Sequence, residues 1–245
     1  MNRCCVIIPC RYGSTRFNGK PLSLLNKKPL MFYPYSAAKK ANKISEVYIA
    51  TDDERVSDVC KKYNMNYIMT GNKHYCGTDR VAEAYKKISK KFDIVINVQG
   101  DEPFITSSII DSFAKFMIKN KKYSAANGVS IINNVDDILN AGVVKAVINK
   151  NKKIIYFSRN AIPYPHHKTN KSNYFRQLGL YGFRPDGLKI FIRNKPHVIE
   201  RKESVEMLRL IENNVDIHAF VTKINGPAVD TEGDLEVANR IMSAK

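Results

Sequence analysis

The chain has 245 residues and 44% of them are apolar, which argues against a disordered or fibrous protein. Its 40 lysines and arginines outnumber 23 acidic residues, and the net charge of +17 suits a nucleic acid, an anionic membrane, a phosphate-rich substrate or simply a solvated basic surface. The five cysteines form no C-x-x-C pair, which excludes a disulfide framework or zinc ribbon, and no apolar run has the roughly 18 residues of a spanning helix. We expect a cytoplasmic protein without membrane insertion.

Over the first 120 residues, short apolar runs alternate with segments of helical periodicity. The predicted elements, in chain order, are a strand at 6–9, a helix at 29–42, a strand at 47–51, a helix over 56–63, a strand at 67–70, a helix over 78–88, a strand at 93–98 and a helix at 107–120. Strands that alternate with helices of this length predict right-handed βαβ units and a mainly parallel sheet covered on both faces.

The pattern changes after about residue 140. Segments 143–148 and 153–157 flank four polar residues and are typical of a β-hairpin, and His166 and His167 in the next loop are interpreted as an exposed pair. The remaining predicted elements are a strand at 178–183, helices at about 186–194 and 203–213, a strand at 216–222 and a helix at 232–242. We predict an α/β sandwich, one domain over residues 1–245, with a mixed-strand lobe inserted near its C-terminal half.

The loop after the first strand, RYGSTRFNGKP at 11–21, combines two glycines with three cations. Ligands of parallel α/β sheets bind at the carboxyl ends of strands, where glycines let N–H groups approach an anion and cations neutralise it. The loop is therefore a candidate polyphosphate site, with an ordinary basic surface loop as the alternative. It is not a Walker A loop, because five residues separate Gly13 from Gly19 and a proline follows Lys20.

The segment NVQGDEP at 97–103 places Asp101 and Glu102 after an apolar strand. Mg²⁺ is typically held by one or two carboxylates together with substrate phosphates and water. A catalytic metal could therefore lie at this strand end. The alternative is a plain turn with a solvated Glu102.

Two further segments lie at predicted helix starts. In PAVDTEGD at 227–234, Thr231 is expected to cap the last helix with Asp234 in its first turn, which leaves Asp230 just outside the helix. The segment HYCGTDR at 74–80 opens another helix, where anionic and polar ligands are favoured, although a plain N-cap explains it equally well.

In this order, the four segments resemble those of the 3-deoxy-manno-octulosonate (Kdo) cytidylyltransferases, and the likeness spans essentially the whole chain. The family's first loop reads IPARYxSTRLPGKPL, and residues 8–22 read IPCRYGSTRFNGKPL. The family's SGT[DE]RxAE corresponds to CGTDRVAE at 76–83, while NVQGDEP and VDT are present in full. The resemblance implies a Rossmann-like nucleotidyltransferase sandwich with a mainly parallel central sheet, in which the lobe at about 143–215 binds the sugar and joins a homodimer.

The same resemblance implies the site residues. Arg11 and Lys20 would hold the triphosphate of CTP, Asp101 and Asp230 would bind Mg²⁺, and Arg11, Lys20 and Asp101 would be the catalytic residues. The other implied nucleotide contacts are Cys10, Gly13, Ser14, Cys76, Gly77 and Arg80. The implied sugar contacts are Gln99, Arg159, Gln177, Tyr181 and Glu206, with Arg159 placed to pair with the sugar's carboxylate.

The implied reaction is attack of the anomeric hydroxyl of a 2-keto-3-deoxy sugar acid on the α-phosphorus of CTP, with release of pyrophosphate, for lipopolysaccharide precursor synthesis. The family's RHLG reads RQLG at 176–179, so Gln177 replaces a sugar-site histidine, and an amino-bearing Kdo analogue is an alternative acceptor. In the first loop, Phe17-Asn18 replaces Leu-Pro. A nine-carbon 2-keto sugar acid is another alternative. Nucleic-acid binding is suggested by the charge alone, and no nucleic-acid motif supports it.

Overall fold

The computed structural model describes residues 3–13, 17–166 and 173–244. The chain forms two compact units, the first from Met1–Lys119 with Ile224–Lys245 and the second from Asn120–Lys223. The predicted lobe at about 143–215 falls inside the second unit. Its roles in sugar binding and dimerisation stay predictions.

The first unit begins with alternating strands and helices. In chain order these are β1 (Cys4–Pro9), β2 (Leu24–Leu25), β3 (Lys28–Pro29), α1 (Phe32–Lys39), β4 (Ile44–Thr51), α2 (Glu54–Lys62), β5 (Tyr67–Met69), α3 (Gly77–Lys87), β6 (Ile94–Val98) and α4 (Ser107–Lys119). Within this unit the strand order is β5-β4-β1-β6, and each neighbouring pair is parallel. The predicted parallel α/β arrangement is therefore confirmed.

The central strands of this unit are buried on both faces. All five residues of β6 are buried, and so are the first five of β1, as expected for continuous apolar runs in a parallel sheet. Because β1 and β6 are parallel neighbours, their carboxyl ends lie at the same edge. This arrangement brings the loop after β1 next to the turn after β6.

The first helix is shorter than predicted. The sequence pattern favoured a helix over 29–42, but Lys28 and Pro29 pair with Leu25 and Leu24 in a small antiparallel hairpin. The helix therefore begins only at Phe32.

The second unit has a different architecture. Its elements are β7 (Ala125–Ile131), α5 (Val135–Leu139), β8 (Lys145–Ile148), β9 (Lys153–Ser158), β10 (Phe175–Phe183), α6 (Pro185–Arg193), α7 (Val198–Glu203), α8 (Leu208–Glu212) and β11 (Ile217–Val221). Within this unit the order is β10-β7-β11-β9-β8, and β8 also pairs with β10. Among the described residues of this unit, only β7 and β11 pair in parallel, while the other pairs are antiparallel. The predicted hairpin of β8 and β9 and the mixed-strand character are confirmed.

The sequence prediction of the second unit is incomplete. The helix predicted at 203–213 is present only over α8 (Leu208–Glu212), because α7 ends at Glu203 and Ser204 has a left-handed backbone with φ of 50°. Strand β7 and the helices α5 and α7 were not predicted. In β7, Gly128 packs so closely under Leu180 that a Cβ there would lie 3.2 Å from that side chain. Close packing against β10 therefore explains why a glycine occupies position 128, although glycine is unfavourable inside a strand and obscures the strand pattern in the sequence.

The chain returns to the first unit and ends in α9 (Glu232–Ser243). Thr231 Oγ1 accepts from the Asp234 N–H at 3.2 Å, and the Asp234 carboxylate accepts from the Thr231 N–H at 2.9 Å. This reciprocal pair confirms the predicted cap. Within the described ranges, no helix is long and apolar enough to cross a membrane.

Candidate active site

The edge formed by the ends of β1 and β6 holds most of the predicted nucleotide residues. Cys10 follows β1, is 1% exposed, and donates its N–H to Ala50 O at 2.8 Å. Gly100 follows β6, and a Cβ there would lie 2.9 Å from Cys10 Sγ. The glycine therefore allows the turn that carries Asp101 to pack directly against the end of β1.

At this edge, one lysine joins two distant carboxylates. Lys20 Nζ donates to Asp101 Oδ2 at 2.6 Å and to Asp230 Oδ1 at 3.0 Å. Burial alone would lower the Lys20 pKa, but the two adjacent carboxylates outweigh burial and hold that pKa above its ordinary value. Val229 N donates to Asp101 O at 2.9 Å, which ties the C-terminal segment to the same turn. Three of the predicted functional residues thus form one cluster.

The cluster offers two carboxylates to a cation. Because Asp101 and Asp230 bind the same nitrogen, their oxygens converge on one point. Among the described residues, no group of three or more His, Cys, Asp and Glu side chains could hold a metal by itself. Two carboxylates that need further oxygen ligands from phosphates and water match the coordination habit of Mg²⁺. Glu102 is 5% exposed, so the alternative of a solvated side chain at this position is wrong.

The loop before Lys20 is braced by an aromatic contact. The Arg55 guanidinium lies 3.4 Å from the centroid of the Tyr12 ring and makes two bonds to the Asp53 carboxylate. Gly19 N donates to Tyr12 O at 2.9 Å, and Gly19 has a left-handed backbone with φ of 70°. The turn into Lys20 therefore depends on the glycine at position 19. It is also bonded to Tyr12, whose ring packs against Arg55 at the start of α2.

Three other predicted residues lie earlier in this loop. Arg11 and Gly13 are exposed. A Cβ at Gly13 would meet nothing within 4 Å, so space alone does not demand a glycine there. Ser14 lies outside the described residues.

The start of α3 brings two predicted subsites together. Cys76 occupies the N-cap position and donates its Sγ–H to Asp79 Oδ2 at 3.4 Å. A Cβ at Gly77 would lie 2.9 Å from the amide nitrogen of Gln99. A predicted sugar contact therefore packs directly on a predicted nucleotide contact.

Arg80 is anchored inside the first unit. It is 4% exposed, and its guanidinium donates to Thr70 Oγ1 at 2.6 Å and to Asp52 Oδ2 at 3.1 Å. Sequence reasoning missed Asp52 and Thr70 as its partners. The sequence signal was their position at the ends of predicted strands, since Asp52 follows the strand predicted at 47–51 and Thr70 ends the strand predicted at 67–70.

In the second unit, Arg159 follows β9 and is held by backbone carbonyls. Its Nε donates to Glu203 O at 2.7 Å, and its Nη1 donates to Ala141 O at 2.9 Å. Its main-chain oxygen accepts from Lys145 Nζ at 2.5 Å. Sequence reasoning missed Lys145 and Glu203, although a lysine inside the apolar run VVKAV was a signal.

The orientation of the Gln177 amide follows from its surroundings. Asn127 Nδ2 lies within 2.9–3.1 Å of three carbonyls, those of Gly128, Leu178 and Leu180. Carbonyls only accept, so Asn127 Oδ1 must face the other way, where it accepts from Gln177 Nε2 at 2.7 Å. The Gln177 side-chain oxygen is therefore the end of the amide that does not bond to Asn127.

The last two predicted sugar contacts also lie in the second unit. Tyr181, on β10, is 7% exposed, and Glu206, between α7 and α8, is half-buried. The structure thus places four predicted sugar contacts in the second unit and Gln99 in the first.

The first unit is a parallel sheet with a basic, glycine-containing loop after one central strand. Paired carboxylates lie at the same edge of that sheet. Together these features are those of an α/β nucleotidyltransferase. The family model described as Cytidylyltransferase matches residues 5–217. Proteins described as 3-deoxy-manno-octulosonate cytidylyltransferases from Thermodesulfovibrio yellowstonii and Chloroherpeton thalassium are each 39% identical, with coverage of 97% and 98% of both chains respectively. The chain therefore belongs to the 3-deoxy-manno-octulosonate cytidylyltransferase family.

A solved structure supports the same assignment. The structure of CMP:2-keto-3-deoxy-manno-octonic acid synthetase complexed with CTP matches with a TM-score of 0.91 and 34% identity, over 99% of each chain. At this level of identity, the likeness reaches beyond the fold alone.

Proposed function

We propose that this enzyme transfers CMP from CTP to the anomeric hydroxyl of Kdo and releases pyrophosphate. The observation that carries the proposal is the convergence of Lys20, Asp101 and Asp230 at one sheet edge. This cluster occurs in a chain that matches a relative described as complexed with CTP over 99% of both lengths.

The residues of the first unit would act on the nucleotide by position and charge. Lys20 and Arg11 neutralise the triphosphate, and Lys20 stabilises the negative charge that develops on pyrophosphate as it leaves. The segments around Cys10, Cys76, Gly77 and the anchored Arg80 line the base pocket. No covalent bond to the protein is needed, because orientation and charge neutralisation carry phosphoryl transfer.

The metal is proposed to be Mg²⁺, held by Asp101 and Asp230 together with oxygens of the substrate. When bound, it supplies charge neutralisation at the phosphates and lowers the pKa of a coordinated hydroxyl. In the free protein Lys20 occupies both carboxylates, so Lys20 must exchange these partners for phosphate oxygens when the nucleotide binds.

The acceptor would be bound by residues of the second unit. Arg159 receives the sugar's carboxylate as a charge-assisted pair, while Gln177, Tyr181 and Glu206 contact the rest of the sugar. An amino-bearing Kdo analogue is the second candidate acceptor. The oriented carbonyl of Gln177 favours it, because that oxygen can accept a hydrogen bond from an ammonium group.

We further propose a cytoplasmic homodimer that supplies lipopolysaccharide precursors. Large apolar side chains are exposed on the second unit, with Val135 at 66%, Leu139 at 71% and Ile155 at 52%. Covering them in an interface is consistent with the proposed dimerisation lobe. Analytical ultracentrifugation tests this point, and a monomer at micromolar concentration would contradict it.

A single assay tests the reaction. Pyrophosphate release is measured for each of the four nucleoside triphosphates against Kdo, its amino analogue and a nine-carbon 2-keto sugar acid. We expect release with CTP only, and with Kdo or its amino analogue as acceptor. Equal release with other triphosphates, or preference for the nine-carbon acid, would contradict the proposal.

A further inference from the structure

We propose that Lys145 and Glu203 are positioning residues, which hold Arg159 in the orientation and the positively charged surroundings that a sugar carboxylate requires. This inference rests on the proposed function, in which Arg159 binds the acceptor. It assigns roles to two side chains that the sequence motifs did not single out.

Arg159 is held at both its main chain and its side chain. Its N–H donates to Glu203 Oε2 at 2.9 Å, and its carbonyl accepts from Lys145 Nζ at 2.5 Å. Its guanidinium donates to three backbone carbonyls, those of Ala141, Glu203 and Ser204, at 2.9, 2.7 and 3.3 Å. An arginine side chain carries five N–H donors, so these bonds fix the guanidinium plane without using every donor.

Glu203 is the residue on which several of these contacts depend. Its other carboxylate oxygen accepts from Ser158 Oγ at 2.7 Å, so the side chain ties the end of β9 to the end of α7. Ser204 follows in a left-handed conformation, which turns its carbonyl toward Arg159. Without the Glu203 carboxylate, the Arg159 N–H loses its partner, and the turn at Ser204 loses the link that this carboxylate makes to the end of β9.

Lys145 adds charge as well as geometry. Its side chain is fully buried, and Nζ donates to the carbonyls of Asn140, Val143 and Arg159 at 2.9, 2.6 and 2.5 Å. Burial, followed by the nearby Arg159 charge, lowers the Lys145 pKa, while Glu203 and more weakly Asp137 act in the opposite direction. Two cations and one carboxylate therefore lie close enough for the charges of Arg159 and Glu203 to act on Lys145, and a bound anion would relieve the repulsion between the cations.

Neutral partners make this arrangement suited to an anion. Carbonyl oxygens stabilise the two cations without cancelling their charge, so both charges still act on an incoming carboxylate. A carboxylate partner for each cation would satisfy them equally well but would compete with the substrate.

The test is a set of KM values for Kdo and for CTP. Glu203→Ala should raise the KM for Kdo about tenfold and the KM for CTP less than twofold, as expected for loss of about one charge-assisted contact. Glu203→Gln should restore the wild-type KM for Kdo, because the amide can still accept from the Arg159 N–H and bond to Ser158. Glu212→Gln is the matched control, since Glu212 accepts from the Ile199 N–H and does not bind Arg159.

Lys145→Met tests the charge. We expect a raised KM for Kdo, and no loss of affinity for a Kdo derivative whose carboxylate is replaced by a neutral amide. Thermal unfolding is measured for every variant, and if Lys145→Met does not fold, the two Glu203 variants decide.

The outcomes separate the two proposals. If Arg159→Lys raises the KM for Kdo but Glu203→Ala does not, or if Glu203→Gln is as impaired as Glu203→Ala, the positioning roles are overturned and the proposed function stands. If Arg159→Lys leaves that KM unchanged, or the wild-type enzyme turns over no sugar acid, the proposed acceptor site is wrong and the positioning roles fall with it.

Discussion

Lys20 in the first unit and Arg159 in the second are both cations fixed by hydrogen bonds, but the chemical groups that fix them differ. Lys20 binds two carboxylates. The Arg159 guanidinium binds backbone carbonyls, and the main chain of Arg159 bonds to the side chains of Glu203 and Lys145. Carboxylates neutralise a lysine and can be taken over by another cation. Carbonyls fix an arginine in place and leave its charge for a ligand.

This contrast suggests two different tasks. A cation that pairs with carboxylates in the free protein can change partners when a nucleotide and a metal arrive. A cation held by carbonyls is already in its working position, so less conformational freedom is lost on binding.

The largest expected effect tests whether a metal takes over the carboxylates of the first unit. Excess chelator should abolish pyrophosphate release, and added Mg²⁺ should restore it, because two carboxylates beside a triphosphate add negative charge that a metal would compensate. The measurement is the initial rate with and without chelator. Full turnover in chelator would reject the metal role of Asp101 and Asp230.

The next effect comes from Asp101→Ala, which should lower kcat by about three orders of magnitude, since a metal contributes several kcal/mol to the transition state. The thermal unfolding midpoint should change little, because this carboxylate lies at a strand end. Asp111→Ala is the control, as Asp111 is another half-buried carboxylate that accepts from the N–H groups of Asn42 and Lys43. Near-normal activity of Asp101→Ala would make Asp101 only a turn residue.

Lys20→Ala should have a smaller effect and should act on turnover. We expect kcat to fall about 100-fold with little change in the KM for the sugar, because the charge matters most as pyrophosphate develops. The variant should also bind Mn²⁺ more tightly without CTP, since Lys20 no longer competes for the two carboxylates. Lys62→Ala, an exposed lysine on α2, is the control. Normal turnover with a selectively raised sugar KM would contradict this role.

The smallest effect concerns Gln177. Gln177→His should shift the ratio of kcat/KM toward Kdo over its amino analogue by about 1–2 kcal/mol, since an imidazolium repels an ammonium group that the amide oxygen accepts. Both sugars are measured with both proteins. If the ratio does not change, Gln177 does not read the substrate.

The parallel half of the fold could be predicted because burial on both faces leaves continuous apolar runs, as in β1 and β6. The motifs also sufficed to select Lys20, Asp101 and Asp230. Their convergence could not be deduced from spacing, since Asp230 is 129 positions from Asp101 and is brought to it by tertiary contacts, the Lys20 bridge and the bond from Val229 N to Asp101 O.

The second unit was harder to predict because tertiary contacts, rather than local propensity, determine which residues its strands contain. Asn127 and Gly128 are poor strand formers, yet they satisfy the carbonyls and the close packing of β10. The buried position of Lys145 could not be predicted for the same reason. Its partners are the carbonyls of Asn140, Val143 and Arg159, which only the folded chain brings together.

The discontinuous course of the first unit has a consequence for biosynthesis. The chain leaves this unit after residue 119 and rejoins it at residue 224, and Gly226 fits there against Phe104 only because it lacks a Cβ. During translation, residues up to 119 emerge long before the segment that carries Asp230. The nascent chain can therefore form β1 to β6 early, but Lys20 and Asp101 receive their third partner only after the whole second unit has been synthesised. A chain released prematurely would carry the phosphate loop without its second carboxylate.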